Sequence, residues 1–428
     1  MNAHTCCSSA FTWEPVYLVT SRSSLRALGA SVVSLLFASA AAAQIVPGNS
    51  LTLQAAMDRA LAANPTLAAA RLRGAIDLAS LEVARERLNP DATVEIEKEA
   101  PKQAFGIAVP LELGGKRSNR IAVGEATIRA GQAELAATVA QVRNDVRRAY
   151  YGVLVAEARL MVLREQRDLS TRARDTAQAR FDAGDAPRLE ILQAQLGLAA
   201  AENEATAAES TAVAARTQLN AVLGQPLNTT EPLTGAIDAG GAVTSGAAVT
   251  MAQMASTQLV LLDRQIEAQR ARIKLAESLR VPDVTPTATL THDAQPEFNY
   301  GWRAGVAVTL PLFTTHRAGV LVEQTTLDQL TSQRQATLLK ITGDVTAAAV
   351  TAEAQRQLYS RYRDEILPQA QQVEQLAQDS YQLGQTGIVA LLQALQATRD
   401  IRLRSLDAVS QFQTALADLE RAIGAPLP

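Results

Sequence analysis

FDAGDAPRLEILQA at residues 181–194 and YQLGQTGIVALLQA at residues 381–394 are one phrase written twice, two hundred positions apart. In each, an aromatic residue, Phe181 or Tyr381, precedes a glycine, Gly184 or Gly384, and an apolar run follows that contains Leu192-Gln193-Ala194 or Leu392-Gln393-Ala394. Both runs close on a second shared phrase: Leu219 with Gly224, Pro226 and Leu227, then Leu419 with Gly424, Pro426 and Leu427. A glycine just past a helical run accepts the left-handed conformation that ends a helix, and proline prevents its continuation. Each copy therefore ends as a helical hairpin. A repeat this long points to a self-packing, pseudo-symmetric architecture.

Upstream of the first tip, Ile121, Ile128, Leu135, Val142 and Ala149 recur every seven residues, accompanied by Val139, Val146, Val153 and Leu160. That is a coiled-coil seam. No proline interrupts Ser118 to Asp182, so the helix reaches on the order of 100 Å at its rise per residue, longer than a globular domain needs. It returns through Leu189, Leu192, Leu196 and Leu198 to Leu223. The second copy runs from Arg317 to Leu383 and back through Val389, Leu392 and Leu395 to Ile423.

Ahead of the long helices each copy opens with a shorter helical segment, Leu51 to Leu88 (interrupted at Asn64-Pro65) and Met251 to Leu279, and each stops before a proline, Pro90 or Pro282. The period then changes to two. Thr93, Glu95, Glu97 and Glu99 alternate with Ala92, Val94 and Ile96; Thr285, Thr287, Thr289 and Thr291 alternate with Val284, Ala288 and Leu290. After turns at Pro101 and Pro296, return strands place Phe105, Ile107, Val109 and Leu111, or Tyr300, Trp302, Val306, Val308 and Leu310, on one side. Each copy thus contributes one amphipathic β-hairpin, although Pro286 within its strand removes a ladder donor.

Four strands cannot close a barrel, and about eight leave an interior filled by side chains. A trimer, with twelve strands, is the smallest assembly whose pore is wet. Its apolar faces suit lipid outside, with Phe298, Tyr300 and Trp302 as an interfacial girdle.

The remaining features bound the class. The 428 residues are 47% hydrophobic but 4% aromatic, a helix-favouring mix, and the net charge of −3 shows no basic stripe for nucleic acid. Arg22 and Arg26, an apolar run through Phe37 and Ala41-Ala42-Ala43 read as a secretory signal over residues 1–43, cut before Gln44. Cys6 and Cys7 lie inside it, so the mature chain has neither a disulfide framework nor a thiolate metal site. No stretch of about 18 apolar residues marks a membrane helix. The organisation is a first repeat at 44–227, a Gly-, Ala- and Thr-rich connector at 228–250, and a second repeat at 251–428.

With these elements in place, the chain resembles the TolC family of outer-membrane efflux ducts over nearly all of its mature length. The resemblance rests on Val109-Pro110-Leu111 and Leu310-Pro311-Leu312 at strand ends, Tyr381-Gln382-Leu383-Gly384 at a helical tip, and the terminal phrases at 223–227 and 423–427. Leu111-Glu112-Leu113-Gly114-Gly115-Lys116-Arg117 is similar to the cobalt-zinc-cadmium branch. The resemblance implies a mainly α fold with a transmembrane β part: a homotrimer with a twelve-stranded barrel in outer-membrane lipid and an α-helical tunnel through the periplasm. It implies a passive duct, without enzymatic activity or cofactor, for divalent heavy-metal cations delivered by an inner-membrane resistance-nodulation-division pump and a periplasmic adaptor. A duct for drug efflux or protein secretion would use the same parts.

By the same resemblance, the tips Ala183, Gly184 and Asp185, and Leu383, Gly384 and Gln385, dock the adaptor. Some family members carry a ring of aspartates at the gate; here Ala390 and Gln393 stand at those positions. Glu190 is then the nearest carboxylate for a ring, against the simpler reading of a solvated acid favourable to the helix dipole. Glu95, Glu97 and Glu99 line the lumen. A periplasmic coiled-coil scaffold or adaptor without a barrel is the rival class, but adaptors carry one such helical hairpin, not two. Enzyme chemistry has no support: His292 and His316 lie in different segments without further ligands at metal spacing.

Overall fold

A computed structural model describes residues 50–425 apart from 239, 242 and 243. The expected leader at 1–43 and the closing Pro426 and Leu427 lie outside these described residues.

The Thr52 hydroxyl accepts from the Ala55 N–H and caps α1, Leu53–Ala63. Asn64 ends that helix and starts the next. Its side-chain oxygen accepts from the N–H groups of Thr66 and Leu67 at 2.8 and 3.3 Å, and Pro65 takes the first position of α2, Pro65–Arg85. Such a cap contributes about 1 kcal/mol. The second copy bends in the same place: α5, Ser245–Ala255, meets α6, Thr257–Ser278, at Ser256. An unbroken segment from Met251 is therefore corrected. Alanine favours helix, and Ala248 and Ala252 have a core to enter, both being fully buried.

The strands are β1, Asp91–Ile96; β2, Gln103–Ala108; β3, Val284–Ala294; and β4, Phe298–Val308, in one antiparallel sheet of order β1-β2-β3-β4. Directly opposed residues share a face. The row Val94–Phe105–Leu290–Trp302 and its neighbours Ile107, Tyr300 and Val306 form one apolar face, with Val94 65% and Trp302 81% exposed. Thr93, Glu95, Thr287, Thr289, Thr291 and Arg303 form the other. Pro286 is accommodated past the end of β2, where its carbonyl accepts from Val109 N–H at 3.0 Å. Both outer strands, β1 and β4, have an unpaired edge.

A collar joins sheet to helices, and the stretch from Leu111 to Arg117 builds it. Gly114 has φ +68° and lies so close to Val281 that a Cβ would come within 2.7 Å. Lys116 pairs with Asp283 at 2.7 Å. Although burial opposes it, hydrogen bonds from Lys116 and the Leu113 N–H hold the Asp283 carboxyl below the usual range. Arg120 makes a two-pronged bond to Glu112. Arg117 and Arg120 also donate to the carbonyls of Ala84, Arg85 and Glu86 at 2.6–3.1 Å, satisfying the open end of α2.

Below the collar run α3, Lys116–Asp182, and its return α4, Arg188–Leu223. Their counterparts are α7, Arg317–Arg361, a π-helical turn at Tyr362–Ile366, α8, Leu367–Gln382, and the return α9, Ile388–Ile423. The uninterrupted helix expected from Arg317 to Leu383 is corrected by that turn. Pro368 lacks the N–H an α-helix would use one turn back, and a wider turn ahead of it absorbs the defect.

The insertion shows in the numbering. Ile341, Val345 and Ala349 pack on Leu419 as Val142, Val146 and Tyr150 pack on Leu219, an offset of 199 positions, whereas the tip glycines are 200 apart. In the lower half α3 lies between α4 and α9, and α9 between α3 and α7–α8, giving a wall of order α4–α3–α9–α7/α8.

Candidate gate and docking tips

Both hairpin tips are built alike. Gly184 has φ +86° and donates to Phe181 O, and Asp185 N–H donates to Arg180 O at 2.8 Å. Gly384, φ +73°, and Gln385 repeat the bonds to Tyr381 and Ser380. This pattern closes the last turn of a helix on itself. A Cβ added at either glycine meets nothing within 4 Å, so the left-handed backbone alone selects glycine there. Ala183, Asp185, Leu383 and Gln385 are all exposed.

Behind the tips the two copies are locked together. Leu169, Ala173 and Ala177 of α3 and Ala194 of α4 pack on Tyr381, Ile388, Leu391 and Leu395. At the edge of this cluster the Tyr381 hydroxyl donates to Glu190 at 3.2 Å, while the Arg180 guanidinium lies 3.7 Å from Glu190 and 4.9 Å above the Tyr381 ring. Burial and the adjacent carboxylate push the Tyr381 phenol up. Glu190 is thus no solvated acid: its side chain is 15% exposed and ties the first hairpin to the second. The structure does not bring Gln393 into this cluster; it is exposed on α9.

The partners of Glu190 were missed in sequence, though a signal existed. Tyr381 differs from Phe181 by one hydroxyl, and Arg180 stands where the second copy has Ser380. Tyr381 adds a hydroxyl, and Arg180 a charge, that the other copy lacks at the matching place.

Above the tips an ionic seam joins the copies. Arg147 meets Glu420 at 2.5 Å, Arg402 meets Glu165 at 2.7 Å, Arg399 meets Glu204 at 2.8 Å, and Arg148–Asp418 and Arg159–Asp407 complete the set. Glu374 of α8 is buried 3.4 Å from Arg402. Burial raises its carboxyl, Arg402 opposing and Glu165 reinforcing the shift.

On the sheet, Glu95 takes its expected place on the threonine face, and Arg303 joins it. Glu97 and Glu99 do not. β1 stops at Ile96, and after one bond from Glu97 N–H to Lys102 O the chain must turn, so these two carboxylates belong to the hairpin end. Among the described residues no three His, Cys, Asp or Glu side chains converge as a metal site. The His292 ring lies against Tyr300, centroids 4.6 Å apart and planes tilted by 45°, and His316 occupies the left-handed position ahead of α7. No described helix is long and apolar enough to cross a membrane.

The outer membrane efflux protein family model matches residues 56–225 and again 250–425. The cobalt-zinc-cadmium resistance protein CzcC of Cupriavidus metallidurans is 26% identical over 378 residues, which cover 87% of this chain and 90% of that protein. The nickel-cobalt-cadmium resistance protein NccC of Alcaligenes xylosoxydans is 27% identical over 51% of this chain and 49% of its own length. Among solved structures CusC, described for its transmembrane channel formation, superposes with a TM-score of 0.73 at 15% identity, covering 88% of this chain and 93% of that one.

Proposed function

Because the chain belongs to the outer membrane efflux protein family, and so is a non-enzymatic efflux channel of that membrane, we propose that its cargo is divalent heavy-metal cations. The observation that carries this reading is the kinship with CzcC along nearly the whole length of both chains. In this reading an inner-membrane pump of the resistance-nodulation-division type supplies the cations, and a periplasmic adaptor joins pump to duct.

Three protomers assemble head to tail, each offering four strands with unpaired outer edges. Closure removes those edges and turns the apolar face to lipid and the threonine face to water. The copies at 44–227 and 251–428, joined by 228–250, each supply one hairpin of strands and one of helices. The tips Ala183–Asp185 and Leu383–Gln385, exposed and backbone-rich, receive the adaptor. Glu190 is the gate residue, held shut by Tyr381, and Gln393, exposed on α9 outside that cluster, is an uncharged residue of the tunnel wall. Glu95, with Glu97 and Glu99 at the hairpin end, makes the exit path acidic, which favours cations.

Deletion of the gene followed by growth in graded zinc, cobalt and cadmium, beside a panel of dyes, tests the cargo. Sensitivity to at least one metal, reversed by the gene in trans, is expected. Sensitivity to dyes alone would refute the metal assignment and leave the efflux channel standing.

A further inference from the structure

The apolar alternation of the sheet does not stop where the strands stop. Phe105 and Ile107 of β2 are followed at the same spacing by Val109, Leu111 and Leu113, and Trp302, Val306 and Val308 of β4 by Leu310 and Leu312. The next residue, Phe313, is 98% exposed, and Leu310 and Leu312 are more than half exposed. These residues enter the collar, where Val281, Pro282, Leu310, Leu312, Phe313 and His316 line a groove of about 270 Å³. The 11 residues of β4 span about 33 Å along the strand and, at the tilt of a barrel, about 25 Å in height, which is the height of the apolar band of such barrels. The collar therefore lies at the end of that band, on the side that carries the helices.

Positive charge gathers at the same level. Each of the four chain crossings between sheet and helices carries a cation: Arg87 before β1, Lys116 and Arg117 after β2, Arg280 before β3 and Arg317 after β4. At the β2 crossing both are engaged, Lys116 by Asp283 and Arg117 by the Arg85 carbonyl. Arg87 stands next to Glu86, which leaves that crossing neutral. Arg280 and Arg317 are exposed, and among the described residues no carboxylate pairs with either, Glu277 one turn before Arg280 included. Arg280 stands between the lining residues Leu279 and Val281, and Arg317 directly follows His316. The carboxylate that lines the groove, Asp283, is taken by Lys116 and the Leu113 N–H. An apolar groove thus has two unmatched guanidinium groups beside it.

We propose that the collar groove holds an anionic glycerophospholipid of the inner leaflet of the outer membrane, its acyl chains against Leu310, Leu312 and Phe313 and its phosphate on Arg280 and Arg317. Such a site depends on the apolar face turning to lipid, as in the preceding subsection, and not on the cargo. Lipid is the occupant because the exposed residues prolong, at the same period of two, the face that meets acyl chains. The headgroup follows from charge. A zwitterionic phospholipid brings no net charge to two unpaired guanidinium groups, whereas a phosphodiester with a neutral glycerol headgroup does, and a guanidinium fork matches its oxygens. Each basic side chain at such a surface favours the anionic lipid by about fivefold. A lipid held there fastens the duct at the level where barrel becomes tunnel.

Tryptophan quenching by brominated lipid tests the site. Phe313→Trp in a Trp302→Phe background leaves a single tryptophan after the expected leader, which holds Trp13. The assembled protein is placed in vesicles of phosphatidylethanolamine with a minority of phosphatidylglycerol, and the same mole fraction of acyl-brominated lipid is supplied as one headgroup or the other. Brominated phosphatidylglycerol is expected to associate with the tryptophan at least about fivefold better than brominated phosphatidylethanolamine. Adding Arg280→Gln and Arg317→Gln is expected to bring that ratio to about one, as is salt of about 1 M. Leu312→Trp in place of Phe313→Trp supplies a second reporter, which covers the case of the first failing to fold. Strong and equal quenching by both lipids overturns the anionic headgroup. A preference that survives loss of both arginines overturns their assignment. Quenching by neither lipid, in a channel that conducts ions, means that protein covers the collar and overturns the lipid site while the duct stands. A protein that does not insert into vesicles overturns the outward apolar sheet as well.

Discussion

Replacing Tyr381 with phenylalanine deletes one hydroxyl and is expected to unlock the tips of the duct. The ring can stay, because Phe181 fills the matching place in the first copy, so packing against Leu391 and Leu395 and the Arg180 stacking survive. What is lost is the bond to Glu190 at 3.2 Å, between a fully buried phenol and a carboxylate whose side chain is 15% exposed. A hydrogen bond to a charged group contributes about 1.5–3 kcal/mol, and the long distance argues for the lower end. Three protomers opening together lose about 4.5 kcal/mol, which at about 1.4 kcal/mol per tenfold moves the closed-to-open ratio by about a thousandfold. Purified protein in planar bilayers reads this as open probability, and cells read it as entry of a large antibiotic that intact outer membranes exclude. Glu190→Gln keeps an acceptor without its charge and is expected to fall between the two. An open probability for Tyr381→Phe equal to wild type, in a normally assembled trimer, would sink the assignment of this bond as the latch.

Two further outcomes follow from other sites. Gly384→Val forces a β-branched residue into φ +73°, a strain of about 1–2 kcal/mol, in open space where nothing else clashes. Export and trimer level are expected to persist while metal resistance is lost, and unchanged resistance at normal trimer levels refutes docking at this tip. Glu374→Gln tests the buried carboxylate beside Arg402. Because the folded group titrates above its ordinary value, wild type loses stability as pH rises past the unfolded carboxyl value of about 4.3. The variant does not. Thermal melting is expected to place the variant level with wild type at pH 4 and level or higher at pH 7.5; a clear loss at pH 7.5 contradicts the sign.

Much of the architecture was legible because it is carried by local period and punctuation. The heptads from Ile121 onward, the glycines at both tips, and the alternating threonines of β3 each reflect a rule acting over a few residues. What failed to show was set by distant partners. The alternation through Glu97 and Glu99 is real in the chain, but a strand also needs a neighbour, and β2 begins only at Gln103. Helix α5 hid in a Gly-, Ala- and Thr-rich stretch because its alanines gain from a core supplied by α7 and α9. Glu190 looked like an ordinary helix-start acid since its partner lies 191 positions away. Pro368, by contrast, was visible, and its effect on the second long helix could have been anticipated.

The π turn at Tyr362–Ile366 also sets an angle. Val142 to Gly184 and Ile341 to Gly384 run from equivalent core positions to equivalent tips, yet the second path has one residue more. The return helices α4 and α9 are equal at 36 residues, so both descents must cover the same height. An α-helix advances about 1.5 Å and 100° per residue, and one surplus residue would swing everything below it by over a quarter turn. The wide turn absorbs that surplus, acting as a phase corrector between two rulers of unequal count. Without it the Tyr381 hydroxyl would point away from Glu190, and the two arms of each protomer would reach the tunnel mouth with no common lock.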